Sequence, residues 1–266
     1  MFGFFRDAVF ALHTLPNWAI FVVVLGVLLS AVVLAPILAH RVFGVAESDK
    51  RSQGALDAYK SITTYAALVI TFSLVQANGN LRAVEEAVNR EAAAFNNMDR
   101  VLLRFGSPEM AAVRPVLDAY GRAVVDKEWP LLSRGQRSEE ATTAFRTLSR
   151  AVHGVEPANH RQEALFNEVL RVLHDLTDLR ENRVAITELS LPGLFWATVS
   201  AVCVLLIILA ALITPAPERS VQLRGLIAVI ALLLSLVVIV DGPFSGETSA
   251  TPRPIERVLA FNRARV

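Results

Sequence analysis

Five histidines, His13, His40, His153, His160 and His174, are the residues best suited to metal chemistry, and their spacing does not favour it. No two stand four apart, and none belongs to a His-Glu-x-x-His set, the arrangement that puts two zinc ligands on one helix face. His160 with Glu163 and His174 with Asp178 each share a helix face, as solvated surface pairs commonly do. The chain also has no glycine-rich phosphate loop, no Gly-x-Ser-x-Gly elbow and no P-loop lysine. The expectation is a protein that is not an enzyme and uses neither metal nor cofactor.

Ion handling fits the residue types better. Thr64, Thr71 and Asn78 recur every seven residues, with Leu68 and Val75 between them on the same helical face of an otherwise apolar run. Such a face can line a pore, and it can equally pack one membrane helix on another, because small hydroxylated side chains suit both roles. Beyond the run, Glu85, Glu86 and Glu91 would ring an entrance and attract cations if copies assemble around an axis. Glu85 and Glu86 also suit a plain solvated face. Ionisable groups at membrane depth, which proton-coupled transporters need, are nearly absent. Asp241 ends the last apolar run, and its structural reading is a cap on the Gly242–Pro243 turn that accepts a backbone N–H, with Phe244 filling a gap between helix ends. Its functional reading is part of an ion entrance or gate.

Helices must position these residues. With 266 residues, 53% of them hydrophobic, and a mean hydropathy of +0.45, the composition is that of a polytopic membrane protein whose first partner is the lipid bilayer. A net charge of +1 gives no basic field for nucleic acid, and Cys203, the only cysteine, excludes a disulfide within the chain. Four spans are predicted, at residues 18–38, 59–77, 193–213 and 223–240. The first is too long for a signal-peptide core and reads as a retained anchor that Pro36 ends or kinks. Trp196 sits where an interfacial anchor belongs, and the fourth span, polar only at Ser235, should face lipid. Residues 2–15 suit a helix in the headgroup plane, and residues 40–57 a polar connection loosened by Gly44 and Gly54.

No proline interrupts residues 59–105, so the second span should leave the bilayer as one helix. Its apolar residues then thin to a seam of Leu81, Val84, Val88, Phe95, Met98, Leu102 and Phe105, spaced by threes and fours with Glu91 as the misfit. A second seam, Leu165, Val169, Val172, Leu176, Leu179 and Ile186, has Arg183 as its misfit and leads into the third span. The two should pair antiparallel as a coiled-coil stalk, and a Glu91–Arg183 contact would account for both misfits. Between them Gly106-Ser107-Pro108 reads as a helix stop and restart. A helix bearing Val113, Val116, Leu117, Tyr120 and Val124 should be closed by Pro130. Ser138 should cap another whose first turn holds Glu139 and Glu140, with Gly154 and Pro157 ending it. The fold class is therefore an all-α membrane protein, with four transmembrane helices and a four-helix extramembrane bundle inserted between the second and third. The expected divisions are an interfacial segment 1–17, a first span pair 18–78, the helical insert 79–190, a second span pair 191–240 and a tail 241–266.

The tail carries a resemblance. Asp241-Gly-Pro-Phe-Ser-Gly246, followed by Pro252, Pro254 and Glu256, is similar to a signature of the bestrophin-like family of bacterial and plant membrane proteins. Asp241, Pro243, Phe244 and Gly246 form its core. That family also resembles this chain in its two spans, an insert opening on segments like Val84-Glu-Glu-Ala87 and Asn89-Arg-Glu-Ala92, and two closing spans. Ile255 stands where a second aromatic residue often follows. The resemblance implies, through a distant likeness of span arrangement to bestrophin anion channels, a homo-oligomer in a bacterial inner membrane with a cytoplasmic insert. Its second span would line a pore for inorganic ions, with Thr64, Leu68, Thr71, Val75 and Asn78 facing the axis. The carry-over is architectural, since no motif within the second span matches. Arginines and lysines are nearly balanced between the two sides, and since short loops orient a chain more reliably than domains do, those of the two short connections argue instead for an insert on the outside. The alternative function is a membrane-anchored sensor or scaffold whose helical insert binds a ligand or partner.

Overall fold

The computed structural model describes residues 12–13, 15–42, 44, 48–188 and 190–265, so most of the expected interfacial segment lies outside the described residues. Regular structure among them is entirely helical. In chain order the helices are α1 (Asn17–Arg41), α2 (Asp49–Phe105), α3 (Pro108–Ala111), α4 (Val113–Ala123), a π-helical turn (Val124–Glu128), α5 (Trp129–Leu132), α6 (Glu139–His153), α7 (His160–Ala185), α8 (Gly193–Ala211), α9 (Pro217–Val240) and α10 (Arg253–Arg263). Four of them, α1, α2, α8 and α9, are long and apolar enough to cross a membrane. By their contacts the described residues form two compact units, one within Met1–Asn80 and Ser190–Ser249, the other within Leu81–Leu189 and Ala250–Val266.

In the first unit α1 packs on α8 and α9, and the apolar half of α2 joins the same core through Tyr59, Ala66, Ile70 and Ala77. Polar contacts tie the helix ends at each side of this core. At one side the Asn17 side chain donates to Thr248 at 3.0 Å, and Leu191 N–H donates to Asp241 at 2.6 Å. At the other, Ser52 Oγ donates to Thr214 Oγ1 at 2.7 Å and accepts from Thr214 N–H at 2.8 Å, while Arg219 reaches Asp49 at 3.1 Å. The start of α1, the start of α8 and the end of α9 therefore meet at one side, and the start of α2 and the end of α8 at the other.

Three expectations are corrected here. Pro36 does not end α1, which runs on to Arg41. The connection at residues 40–57 is half helix, because α2 begins at Asp49, whose carboxylate favours a helix N-terminus and is further held by Arg219. The fourth span faces outward on one side only: in α9, 44% of the most apolar stretch is buried, against 22% in α1 and α2 and 17% in α8, while Val229, Leu232 and Leu236 stay exposed. Its uniform apolarity is that of a helix at the centre of its unit, with the Ser235 hydroxyl turned back to the Ala231 carbonyl at 2.7 Å.

In the second unit every seam residue of α2 is buried, from Leu81 at 8% exposed to Phe95 and Met98 at 0%. The partner is α7, and it runs antiparallel. Glu91 meets Arg183, and thirteen residues further along α2 Arg104 meets Glu168, which lies fifteen residues back along α7. Gly106 stops α2 at φ +75°, a conformation that costs glycine little, and the Ser107 hydroxyl accepts the Met110 N–H. Ser138 caps α6 by accepting from Ala141 N–H, and Asn159 caps α7 by accepting from Gln162 N–H. Pro130 does not close the helix that starts at Val113. It sits in the first turn of α5, and the π turn before it, closed by Trp129 N–H to the Val124 carbonyl, shifts the register so that the path continues.

The tail does not stand alone either. Helix α10 belongs to the second unit, with Ile255 and Leu259 buried, Arg263 on Asp118 at 2.9 Å and Arg265 on Asp99 at 3.5 Å. Leu259 lies so close to Gly121 of α4 that a Cβ there would stand 2.5 Å from its methyl carbon. Gly121→Leu should therefore release α10, and trypsin should cut after Arg257 at least tenfold faster than in the parent chain. Unchanged protection of that bond would show that the close approach does not hold the helix.

Candidate functional site

The proposed pore face lies on the membrane half of α2, opposite its packed side. Tyr59, Thr63, Ala66, Ile70 and Ala77 are buried, whereas Thr64, Leu68, Thr71, Val75 and Asn78 are all exposed, Leu68 at 54% and Val75 at 67%. Spacings of three and four separate the two sets because a helix turns once in 3.6 residues. The hydroxyls of Thr64 and Thr71 donate to the carbonyls of Lys60 and Ala67, at 3.0 and 2.8 Å, which leaves an oxygen able to accept while the donor is satisfied. Tyr65 and Phe72, 70% and 68% exposed, flank this stripe with large aromatic rings.

The three entrance carboxylates separate into two groups. Glu85 and Glu86 are exposed, and Glu86 pairs with Arg90 one turn on. Glu91 is 0% exposed and lies inside the second unit, where Arg183 Nε donates to its Oε2 at 2.5 Å. Arg183 Nη2 also donates to Glu128 Oε2 at 2.6 Å, and Arg180 Nη2 donates to Glu128 Oε1 at 3.2 Å and Thr142 Oγ1 at 2.9 Å. Two carboxylates and two guanidiniums thus form one neutral buried network. Burial opposes the Arg183 charge, but Glu91 and Glu128 beside it hold the guanidinium protonated above its ordinary value. Burial first, and then the Glu91 carboxylate, pushes the Tyr120 phenol well up. Tyr120 is sandwiched by Phe95, stacked at 5.3 Å, and Phe145, edge-on at 5.1 Å.

Glu128 and Arg180 were not singled out from the sequence, although a signal for Glu128 was there. Val113, Leu117, Tyr120 and Val124 mark the buried face of their helix, and Glu128 falls one turn further along it as a charged misfit, the same sign that marked Glu91 and Arg183. The π turn that delivers it precedes Pro130.

The tail motif is a clasp. Asp241, 7% exposed, reaches beyond its own Gly242–Pro243 turn. Its Oδ1 accepts from the N–H of Leu191, just ahead of α8, and the Trp196 side chain hydrogen-bonds it too. Gly242 is pressed against the His13 ring, where a Cβ would stand 2.4 Å away, and Gly246 adopts φ +79°, so both glycines are demanded by the path. Burial pushes the Asp241 carboxyl up to about 6, against the Leu191 and Trp196 hydrogen bonds, which favour its charged form. Of the histidines, His160 lies 2.5 Å from Glu163 and His174 3.6 Å from Asp178, both at the surface, and no group of three metal-ligating side chains forms among the described residues.

With this geometry in place, the comparisons with known proteins assign the class. The bestrophin-like domain matches residues 26–255, nearly the whole of the four-span chain. The chain belongs to the bestrophin-like family and, with four helices able to cross a bilayer, is a membrane protein. Neither the curated proteins nor the solved structures contain a match.

Two measurements check the site. Arg183→Leu leaves Glu91 buried without a guanidinium and Glu128 with Arg180 alone, and should destabilise the second unit by about 3–5 kcal/mol, whereas Glu91→Leu with Arg183→Leu leaves a neutral Arg180–Glu128 pair and should melt higher than Arg183→Leu alone. A double variant no more stable than that single one would rule out the pairing. For Asp241, a carboxyl whose native pKa is raised holds its proton longer in the folded state. Its stabilising contribution is therefore complete below the unfolded value of 3.8 and is lost as pH rises through about 6. The melting temperature in detergent should fall by roughly 5 °C over that window, and Asp241→Asn, which keeps an acceptor for Leu191, should abolish that fall.

Proposed function

We propose that copies of this chain assemble in the membrane as an oligomeric, channel-like protein with α2 around the axis. One observation carries this reading: the exposed face of α2 bears Thr64, Thr71 and Asn78 at seven-residue intervals inside an otherwise apolar span. An exposed span face needs only lipid-compatible side chains, and regularly repeated polar ones suit water or a neighbouring copy better. Family membership supports the same reading through the span arrangement it shares with bestrophins. In the assembled protein Leu68 and Val75 narrow the path between the polar rings. Glu85 and Glu86 are the entrance charges, while Glu91 is committed to Arg183 and serves structure. The insert is a four-helix bundle built from the outer half of α2, the α4–α5 path, α6 and α7, carried on the α2 and α7 arms as an antiparallel coiled stalk. It faces the cytoplasm of a bacterial cell, inorganic ions are the permeant species, and the chain carries out no catalysis.

The test is flux. Purified protein in lipid vesicles should form a rotationally symmetric oligomer and release a trapped salt gradient faster than empty vesicles do. Thr71→Trp should cut that rate at least tenfold, whereas Leu205→Trp, at an exposed position of α8, should stay within twofold. Vesicles no leakier than empty ones, or a monomer with a closed lipid-facing surface, would overturn the proposal.

A further inference from the structure

Two surface features of the second unit lack a counterpart within the chain, and their shapes and charges match. The first is a groove of about 630 Å³ between α4 and α6. Its floor is small, with Val116 and Ala119 on α4 and Ala144 on α6, and Thr143 and Thr147 line it further along. Glu139 and Glu140, in the first turn of α6, close one end with negative charge. The second is the outward ridge of α10. Its inner face is committed through Ile255 and Leu259, but Arg253, Arg257, Ala260 and Phe261 point away, Phe261 with 54% of its surface exposed. No ion pair engages Arg253 or Arg257 among the described residues, unlike Arg263 and Arg265.

Both features run the same length. Arg253 to Phe261 is nine residues, and so is Glu139 to Thr147, each spanning about 12 Å of helix. Laid parallel, the ridge sets its two arginines against the two glutamates and its phenylalanine over the alanine and threonine floor. Nor can one chain make this contact with itself. On α4, Asp118 and Gly121 face the chain's own α10, whereas Val116 and Ala119 line the groove, about 160° around the helix. A knob on one flank and a socket on the other make a heterologous contact, and repetition of such a contact closes into a ring when the rotation permits.

We propose that the occupant of the α4–α6 groove is the α10 ridge of a second copy of this chain, with Arg253 and Arg257 of one protomer paired to Glu139 and Glu140 of its neighbour. The contact joins protomers outside the membrane and leaves the α2 face free. It rests on the reading that the chain assembles around an axis, and it supplies that assembly with a direction. Within its own chain Glu139 reaches an exposed Arg146 at 3.8 Å and Glu140 accepts from the Ser138 hydroxyl at 2.8 Å, and since a carboxylate has further acceptor sites both can take a guanidinium as well.

The experiment uses the full chain in mild detergent, with oligomeric mass measured by light scattering across a dilution series. Arg253→Glu with Arg257→Glu should raise the concentration for half-dissociation at least tenfold. Glu139→Arg with Glu140→Arg should do the same. The four substitutions together should restore assembly, because the charges are exchanged and not removed. In a Cys203→Ala background, chains bearing only Arg257→Cys, mixed with chains bearing only Glu140→Cys, should be joined by a short thiol crosslinker, and neither set should link to itself. A monomeric parent chain would defeat the assembly reading and this contact together. An oligomer indifferent to the charge reversals, or a quadruple variant that does not recover, would defeat the contact alone.

Discussion

Everything in this protein hangs on α2 being unbroken. Fifty-seven residues without a proline continue as one helix from Asp49 to Phe105, whose contour of about 85 Å is far longer than a bilayer is thick. Its membrane half buries one side and leaves a broad apolar surface outward. Its other half narrows the apolar surface to a seam, whose residues are buried against α7 and, at Phe95, against Tyr120 of α4. Gly79 lies near the change from one unit to the other and does not end the helix, which runs on to Phe105.

The cost of such a rod is that its seam can slip. Apolar residues spaced by threes and fours fit a partner nearly as well one heptad along, and leucine cannot tell the registers apart. The buried network can. A shift of α7 by seven residues would leave Glu91 without its guanidinium and bury Arg183 among apolar neighbours, at several kcal/mol for each stranded charge. Taking four ionised groups out of water is not in itself a source of stability, and well-packed apolar residues of similar size would stabilise the unit about as much. What the charges add is a single permitted register. Glu128 matters most in this respect, because it holds Arg183 and Arg180 together from a third helix, so the arms cannot slide past each other without also leaving the α4–α5 path.

Much of this was legible in the sequence, and the parts that were not share a physical cause. The seams, the Gly106 stop, the Ser107 and Ser138 caps and the Glu91–Arg183 pair are local or periodic signals, and each appears where its residues put it. The errors came where a residue's local meaning was overridden from far away. Pro130 reads as a terminator until a π turn absorbs its missing donor. The uniform apolarity of α9 reads as lipid-facing, yet nearly half of it packs inside its unit, because hydropathy measures what a side chain tolerates and does not say which apolar medium it meets. Asp241 reads locally as the cap of its own turn, and the sequence gives no hint that it also accepts from a backbone N–H fifty residues upstream. No periodicity encodes such a contact.

That last contact bears on where function should be sought. The tail motif is the most distinctive stretch of the chain, and a buried aspartate beside glycines at a membrane edge invites an ion-binding reading. The geometry points elsewhere: both available directions of Asp241 are taken by donors that lie at the start of α8, and the neighbouring glycines are fixed by the His13 ring and by a left-handed turn. A group so fully engaged holds the end of α9 to the start of α8, and twelve residues later the same chain enters the second unit as α10. The fourth span is thereby fastened at its exit and its continuation is fastened again, which makes it the fixed element of its unit. A face free to meet another copy, or water, has to belong to a span that is not held on all sides, and α2, with its polar stripe exposed, meets that condition.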